Sequence, residues 1–151
     1  MTALATEPFA VPALRPAGFW VRAVASLIDW LFLAAVMGLV RALVAYWVEL
    51  SDGSPAVASA VTTAFSLYFW AAYYVVLHGA TGQTLGKMAV GARVVSLDGG
   101  EISYGIAFVR WVGYLLSTLT LLLGYLMAGI RADKRALHDL VAGTRVVRIR
   151  P

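Results

Sequence analysis

The sequence contains no cysteine and few charged residues. The absence of cysteine excludes disulfide bonds, thiolate catalysis and cysteine-ligated metal sites. Only 13% of the 151 residues are charged, about half the fraction typical of soluble domains, which is roughly 25%. Residues 57–77 contain no charged residue at all. His78 and His138 are the remaining nitrogen ligands, and we predict neither a cofactor nor a metal site.

Hydrophobic residues dominate the composition. They make up 61% of the chain, compared with about 45–50% in soluble domains, and the mean hydropathy is +0.80. The formal net charge of +4 equals that of residues 131–151 alone, which contain six lysines or arginines and two aspartates. A basic tail on such a chain indicates membrane sidedness and anionic lipids rather than nucleic acid. The proline-containing residues 1–17 are expected to form a flexible segment on the membrane surface.

Two hydrophobic segments predict transmembrane helices, at about residues 19–48 and 56–77. Both exceed or match the ~20 residues needed to cross a bilayer, and aromatic residues mark their ends. The loop between them carries Glu49 and Asp52 and no basic residue, whereas the loop at residues 78–103 carries Lys87 and Arg93. The positive-inside rule therefore predicts a cytoplasmic N-terminus and a cytoplasmic loop at residues 78–103.

A third apolar segment, residues 104–130, either crosses once or enters and returns as two shorter helices. A single crossing would place the basic tail, residues 131–151, outside, against the charge rule. The sequences of residues 91–95 and 143–147 are nearly identical, GARVV and GTRVV. These β-prone pieces can pair only if both lie on one side of the membrane, so we favour the return. The predicted fold class is an all-α membrane bundle with short β-prone pieces on the cytoplasmic face.

Charged residues inside the hydrophobic segments are candidate functional residues. Arg22, Ser26 and Asp29 form one polar stripe at helical spacing, and a carboxylate within a bilayer costs several kcal/mol unless it finds a partner. Arg110 is a candidate third group. One interpretation is a buried ion pair that holds helices in register. The other is that Asp29 binds a cation, or takes up and releases a proton.

The glycine-rich loop and the tail offer weaker candidates. Residues 82–88, GQTLGKM, lack the spacing and the hydroxyl residue of a phosphate-binding loop. We instead assign contacts with the cytoplasmic surface and lipid headgroups to a set of loop and tail residues: Gly82, Gln83, Gly86, Lys87, Arg131, Lys134 and Arg135.

His138 and Asp139 have side chains competent for acid/base chemistry or metal binding. A third ligand and a nucleophile are missing from the tail around them. We therefore expect Asp139 to bind local backbone and basic groups, and His138 to be half exposed. An enzyme acting on lipid or peptide through this pair is the least favoured hypothesis, and no catalytic residue is predicted.

Several motifs in order resemble the RDD family of bacterial membrane proteins. These are GFWVRAVASLID at residues 18–29, GQTLGK at 82–87, RVV at 93–95, Arg110, and LHDLVAGTRVV at 137–147. The family is named after one arginine and two aspartates, to which Arg22, Asp29 and Asp139 correspond. The resemblance implies an RDD-like transmembrane domain over residues 18–151 in a bacterial cytoplasmic membrane. Most members have no assigned activity, and at least one is described as a monovalent-cation/proton antiporter.

Two hypotheses for function follow from the residues and the resemblance. The first is exchange of monovalent cations for protons through Asp29, with Arg22 or Arg110 adjusting its protonation. The alternative is a non-catalytic scaffold or regulatory module in which the charged residues clasp helices together. We also expect a homo-oligomer, because three helices have too little material to enclose an aqueous path.

Overall fold

The computed structural model describes residues 15–120 and 123–149. Within these ranges it has six helices and two strands: α1 Phe19–Leu50, α2 Pro55–Thr81, α3 Leu85–Ala89, β1 Ala92–Ser96, α4 Tyr104–Leu119, α5 Leu123–Ile130, α6 Leu137–Val141 and β2 Thr144–Arg148. The predicted class, a helical membrane bundle with short strands, is confirmed. Residues 1–14 of the predicted flexible segment and residues 150–151 of the predicted tail lie outside the described residues.

Helices α1 and α2 are long and apolar enough to cross a membrane. Their 32 and 27 residues correspond to roughly 48 and 40 Å at 1.5 Å per residue, which exceeds the ~30 Å hydrocarbon core. Ser54 caps α2 by accepting from the Val57 N–H, and Pro55 occupies its first position.

Helix α2 continues four residues beyond the predicted end at residue 77, so the segment assigned to a loop begins later than expected. It ends where Gly82 adopts a left-handed conformation, with φ +70°, which glycine tolerates without steric cost. Gly79 permits close packing inside the added turn, because a Cβ there would lie 2.3 Å from the Tyr104 ring.

Strands β1 and β2 pair antiparallel, which confirms that the two repeated segments pair. Val94 lies opposite Val146 in this register. Arg15–Ala17, which the sequence assigned to the flexible segment, instead run along the other edge of β2: the Ala17 N–H donates to the Val146 carbonyl at 2.9 Å. The start of α1, the chain after α2 and the chain end therefore meet on one side of the bundle, here called the sheet side.

The third apolar block forms two helices, α4 and α5, inclined at 101° to each other. Because β1 precedes this block and its partner β2 follows it, the block begins and ends on the sheet side. This arrangement supports the returning course that the sequence favours.

Two short helices, α3 and α6, pack into the sheet side of the bundle. Gly86 in α3 touches α1 so closely that a Cβ would lie 1.9 Å from the Ala25 carbonyl oxygen. Gly113 in α4 similarly faces α6, where a Cβ would lie 2.8 Å from the His138 Cα. These close approaches carry polar residues of α3 and α6 into the interior.

Candidate functional site

Asp139, on α6, is the centre of a buried ionic cluster. Arg22 of α1 and Arg110 of α4 each donate from a guanidinium nitrogen to one of its carboxylate oxygens. Asp139 also accepts from the Ala136 N–H at 3.0 Å, at the start of its own helix. The carboxylate therefore joins three helices that are far apart in sequence, and it satisfies one of the free N–H groups of α6.

The two arginines are held by further bonds. Arg22 donates to the carbonyl oxygens of Ala17 at 3.0 Å and Lys134 at 2.7 Å. Arg110 donates to the Thr144 hydroxyl at 2.5 Å, and its guanidinium carbon lies 5.6 Å from the centre of the Tyr114 ring. These bonds tie α1 and α4 to the segment before α6 and to β2.

The charges in this cluster keep Asp139 ionised. Burial alone would raise the pKa of its carboxyl group, but the positive charges of Arg110 and Arg22 outweigh burial and hold that pKa well below its ordinary value of 3.8. With two guanidinium groups and one carboxylate, the cluster carries one excess positive charge at neutral pH.

Asp29, on α1, is the centre of a second cluster made of neutral donors. Its oxygens accept from the Tyr73 hydroxyl and the Thr84 hydroxyl, each at 2.6 Å, and from the Gly86 N–H at 2.7 Å. The side chain is 0% exposed. Thr84 is the N-cap of α3, so this carboxylate binds the end of a short helix where backbone N–H groups lack partners.

The structure brings together three of the predicted charged residues, Arg22, Arg110 and Asp139, but not in the predicted way. We expected Arg22 or Arg110 to adjust the protonation of Asp29, whereas both guanidinium groups bind Asp139. The reason is that α6 carries Asp139 between them, while α3 supplies Asp29 with uncharged donors. Ser26 of the predicted stripe is exposed and belongs to neither cluster.

Lys87 is a third buried charge, and its assignment to lipid headgroups is corrected by the structure. Its side chain is only 5% exposed, because the Gly86 contact presses α3 against α1. Burial and the charge of Arg110 lower the pKa of the Lys87 amine to about 7, although the nearby carboxylate of Asp29 opposes this shift. The amine therefore loses its proton more readily than that of an exposed lysine.

The other predicted headgroup residues of the glycine-rich loop are also turned inward. Gly82 and Gly86 are buried, and the Gln83 side-chain amide donates to the Ala92 carbonyl at 2.8 Å. These residues hold the loop against the sheet and α1. The burial of Gly82 and Gly86 argues against headgroup contacts at these two positions, and for the half-buried Gln83 the assignment stays a prediction.

In the tail, Arg131 and Arg135 bond Asp133 on the surface, and the Lys134 amine donates to the Gly129 carbonyl at 3.2 Å. All three basic side chains remain at least partly exposed, so their assignment to lipid contacts stays a prediction. Asp139 binds the backbone and basic groups, as expected.

His138, by contrast, is 4% exposed rather than half exposed. The ring of Tyr114 packs over it, with centroids 4.4 Å apart, and burial holds the pKa of His138 well below 6.5. Within the described ranges no group of three or more metal-ligating side chains comes together.

Four polar residues of these clusters were not foreseen: Tyr73, Thr84, Tyr114 and Thr144. Tyr73 and Tyr114 were hidden among other aromatic residues of apolar segments. Thr84 carried a usable signal, because a threonine directly before a short helical stretch is a favoured N-cap.

A groove with a volume of about 770 Å³ lies between α1, α2, α4 and α5. Arg22 lines one end and Arg41 the other, nineteen positions further along α1. Arg41 also lines a second cavity of about 850 Å³ near the α1–α2 turn, together with Glu49 and Asp52. The side chain of Arg22, at 12% exposure, is the point where the Asp139 cluster meets the groove.

Two helices able to cross a membrane, a returning apolar block and two buried carboxylate clusters define a small helical membrane protein. The model of the RDD family matches residues 16–143, and the chain belongs to that family, as the motifs predicted. The name-giving residues assigned from the sequence, Arg22, Asp29 and Asp139, all lie in the two clusters.

Three relatives come from Bacillus subtilis (strain 168). "Uncharacterized protein YckC" is 32% identical, over 91% of this chain and 87% of its own length. "Uncharacterized protein YxaI" is 30% identical, with 88% and 97% covered. "Uncharacterized membrane protein YteJ" is 29% identical, with 87% and 80% covered. No solved structure matches the chain. The family and these relatives support a membrane location, and nothing in them points to catalysis.

Proposed function

We propose that this protein is a non-catalytic membrane module in which Asp29 and Asp139 clasp the helices together and hold a folded surface on the sheet side. The observation that carries the proposal is the state of Asp29. Its carboxylate is fully buried and accepts three hydrogen bonds from protein groups. A carrier carboxylate needs access to water and to its ion, and the burial of Asp29 supports a structural role instead.

The partner of such a module would meet the sheet side, which we place in the cytoplasm of a bacterial cell. The charges support this orientation: Arg93, Arg145 and Arg148 lie on the paired strands, whereas Glu49 and Asp52 lie at the opposite turn. Because the chain has no cysteine, single cysteines at Ser51 and Asp98 permit clean labelling. A membrane-impermeant thiol reagent should label intact cells at position 51 only, and labelling at position 98 alone would reverse the orientation.

Two substitutions of Asp29 that remove different numbers of hydrogen bonds test its role in holding the helices together. Asp29→Asn keeps the shape and one acceptor oxygen, which can retain the bonds from Tyr73 and Gly86. Asp29→Leu leaves two hydroxyl groups and one N–H without this partner, at about 1–3 kcal/mol each. We expect the thermal midpoint in detergent to fall slightly for Asn and strongly for Leu. Ser26→Ala, on the exposed side of the same helix, is the matched control.

Cation/proton exchange is the second candidate, and one observation favours it. Arg41 lines both the groove and the second cavity. The two cavities together therefore run along α1 from the region of Glu49 to Arg22, as a path for an ion would. Two guanidinium groups along this course oppose the entry of cations, and the pKa of Asp139 is held too low for proton uptake at neutral pH. The geometry therefore favours the clasp.

Vesicles containing the purified protein distinguish the two candidates. An imposed proton gradient, followed with a pH-sensitive dye, should decay at the same rate with and without added sodium or potassium. A cation-dependent decay that Asp29→Asn abolishes, while its thermal midpoint stays unchanged, would overturn the clasp in favour of exchange.

A further inference from the structure

We propose that the groove between α1, α2, α4 and α5 binds one phospholipid with an anionic headgroup, with one of its two acyl chains along the groove and its phosphate at Arg22. The volume of about 770 Å³ lies within the range of roughly 300–1,000 Å³ found for small-molecule sites. The walls are mostly apolar and aromatic, like those of such sites. They include Trp30, Leu33, Met37, Trp70, Tyr114 and Tyr125.

The position of Arg22 suits a headgroup. It lies in the first turn of α1, one turn from the sheet-side end of the helix, where the lipid headgroup region begins. Its guanidinium group makes one bond from each of its three nitrogens to protein partners within the described residues. Since a guanidinium has five N–H groups, two are left for a phosphate, and the side chain is partly exposed towards the groove.

Charge selects the kind of lipid. Among the described residues, the groove walls contain Arg22 and Arg41 but no carboxylate. Arg22 and Arg110 share one aspartate, Asp139. Lys134 adds a further cation beside the mouth, because its carbonyl accepts from Arg22 and its amine bonds the Gly129 carbonyl. An occupant with a net negative headgroup compensates this excess, whereas a zwitterionic lipid does not.

Gly38 provides a way to fill the groove without disturbing the protein. It lines the groove, and a Cβ built there meets no atom of the described part of the chain within 4 Å. Gly38→Trp therefore places a large ring in the space of the acyl chain. Leu39→Trp adds the same ring at the next position of α1, which is exposed and does not line the groove, and it is the matched control. Ala34→Leu, also in the groove wall, is a second and milder blocking variant.

The experiment measures lipid retention by native mass spectrometry in micelles containing equal phosphatidylglycerol and phosphatidylcholine with the same chains. The wild-type protein and Leu39→Trp should retain one phosphatidylglycerol in preference to phosphatidylcholine. Gly38→Trp should reduce that retention roughly tenfold, and Ala34→Leu should reduce it less. Circular dichroism verifies that each variant is folded.

Four outcomes would overturn the proposal. Equal retention of both lipids removes the selection by charge, and equal loss in Leu39→Trp removes the groove as the site. Displacement of the lipid by soluble glycerol phosphate shows that only the headgroup is bound. A dimer that Gly38→Trp dissociates would assign the groove to a second copy of the chain.

Discussion

Removing the charge of Asp139 should destabilise this protein more than removing any exposed charge. Asp139→Asn keeps the side-chain shape but leaves Arg22 and Arg110, one partly buried and one 1% exposed, without a counter-charge. Breaking a buried pair from one side costs about 3–5 kcal/mol, and here one substitution breaks two pairs. This cost is a large part of the ~5–15 kcal/mol that keeps a typical protein folded.

This loss of stability corresponds to a measurable fall in the thermal midpoint of unfolding. For a chain of this size, 1 kcal/mol corresponds to roughly 2–4 °C in the midpoint, so Asp139→Asn should lower it by roughly 6–20 °C. Unfolding in detergent can be followed by the fluorescence of the five tryptophans or by circular dichroism. Asp133→Asn is the matched control, because Asp133 is an exposed aspartate six positions away that also bonds two arginines, and we expect little change.

A double-mutant cycle tests whether the cost comes from an uncompensated charge. Asp139→Leu should be strongly destabilising alone, since it leaves two guanidinium groups without their counter-charge. Arg110→Met should cost less, since Asp139 keeps its bond to Arg22. Together they should cost clearly less than the sum, because the double variant leaves Arg22, which reaches solvent, as the one charge of the cluster. The reasoning is refuted if the two effects add, or if Asp139→Asn unfolds at the same temperature as Asp133→Asn.

Three further predictions follow from the buried charges and the close contacts. Because the pKa of Asp139 lies below 3.8 in the folded protein, its stabilisation is present at neutral pH and is lost as the pH falls below about 4. Asp139→Asn should therefore unfold with a weaker dependence on pH between 2 and 5. The lowered pKa of Lys87, about 7 against 10.5, changes stability in the same direction, because above pH 7 the unfolded chain binds more protons than the folded protein. Stability should rise by about 2 kcal/mol from pH 7 to pH 9, and Lys87→Met should remove that rise; a rise of equal size in the variant would contradict it. Gly86→Ala should lower the thermal midpoint by several degrees, since its Cβ would meet the Ala25 carbonyl at 1.9 Å. Gly105→Ala, whose nearest atom is 3.7 Å away, is its control and should leave the midpoint unchanged.

The spans and the returning block could be predicted from the sequence because each rests on a local or strongly repeated signal. Length and hydropathy gave α1 and α2, and the turn residues gave the boundary between them. The repeated segments at residues 91–95 and 143–147 indicated the pairing of β1 with β2. That pairing favours the returning course, which hydropathy alone left open.

The partners of the two carboxylates could not be predicted, because they lie far from Asp29 and Asp139 along the chain. Tyr73 and Gly86 lie 44 and 57 residues from Asp29, and both are uncharged donors that no charge pattern reveals. The burial of Lys87 was missed for the same reason. A lysine next to a glycine in a glycine-rich loop is typical of an exposed turn, and only the packing of α3 on α1 turns it inward.

The positions of the clasps along α1 explain why so few polar residues can hold this bundle. The buried residues of that helix are Ala25, Asp29 and Leu33, all in its first half, and both carboxylate clusters lie towards the sheet side. In a bilayer, lipid chains solvate apolar side chains as well as other helices do, so burial gives little driving force for association. Hydrogen bonds that would otherwise remain unsatisfied in hydrocarbon must then supply the specificity. The two carboxylate clusters fix the angle of α1 at the sheet-side end. The second half of the helix has no buried residue among those described, so we expect its position to depend on the surrounding lipid.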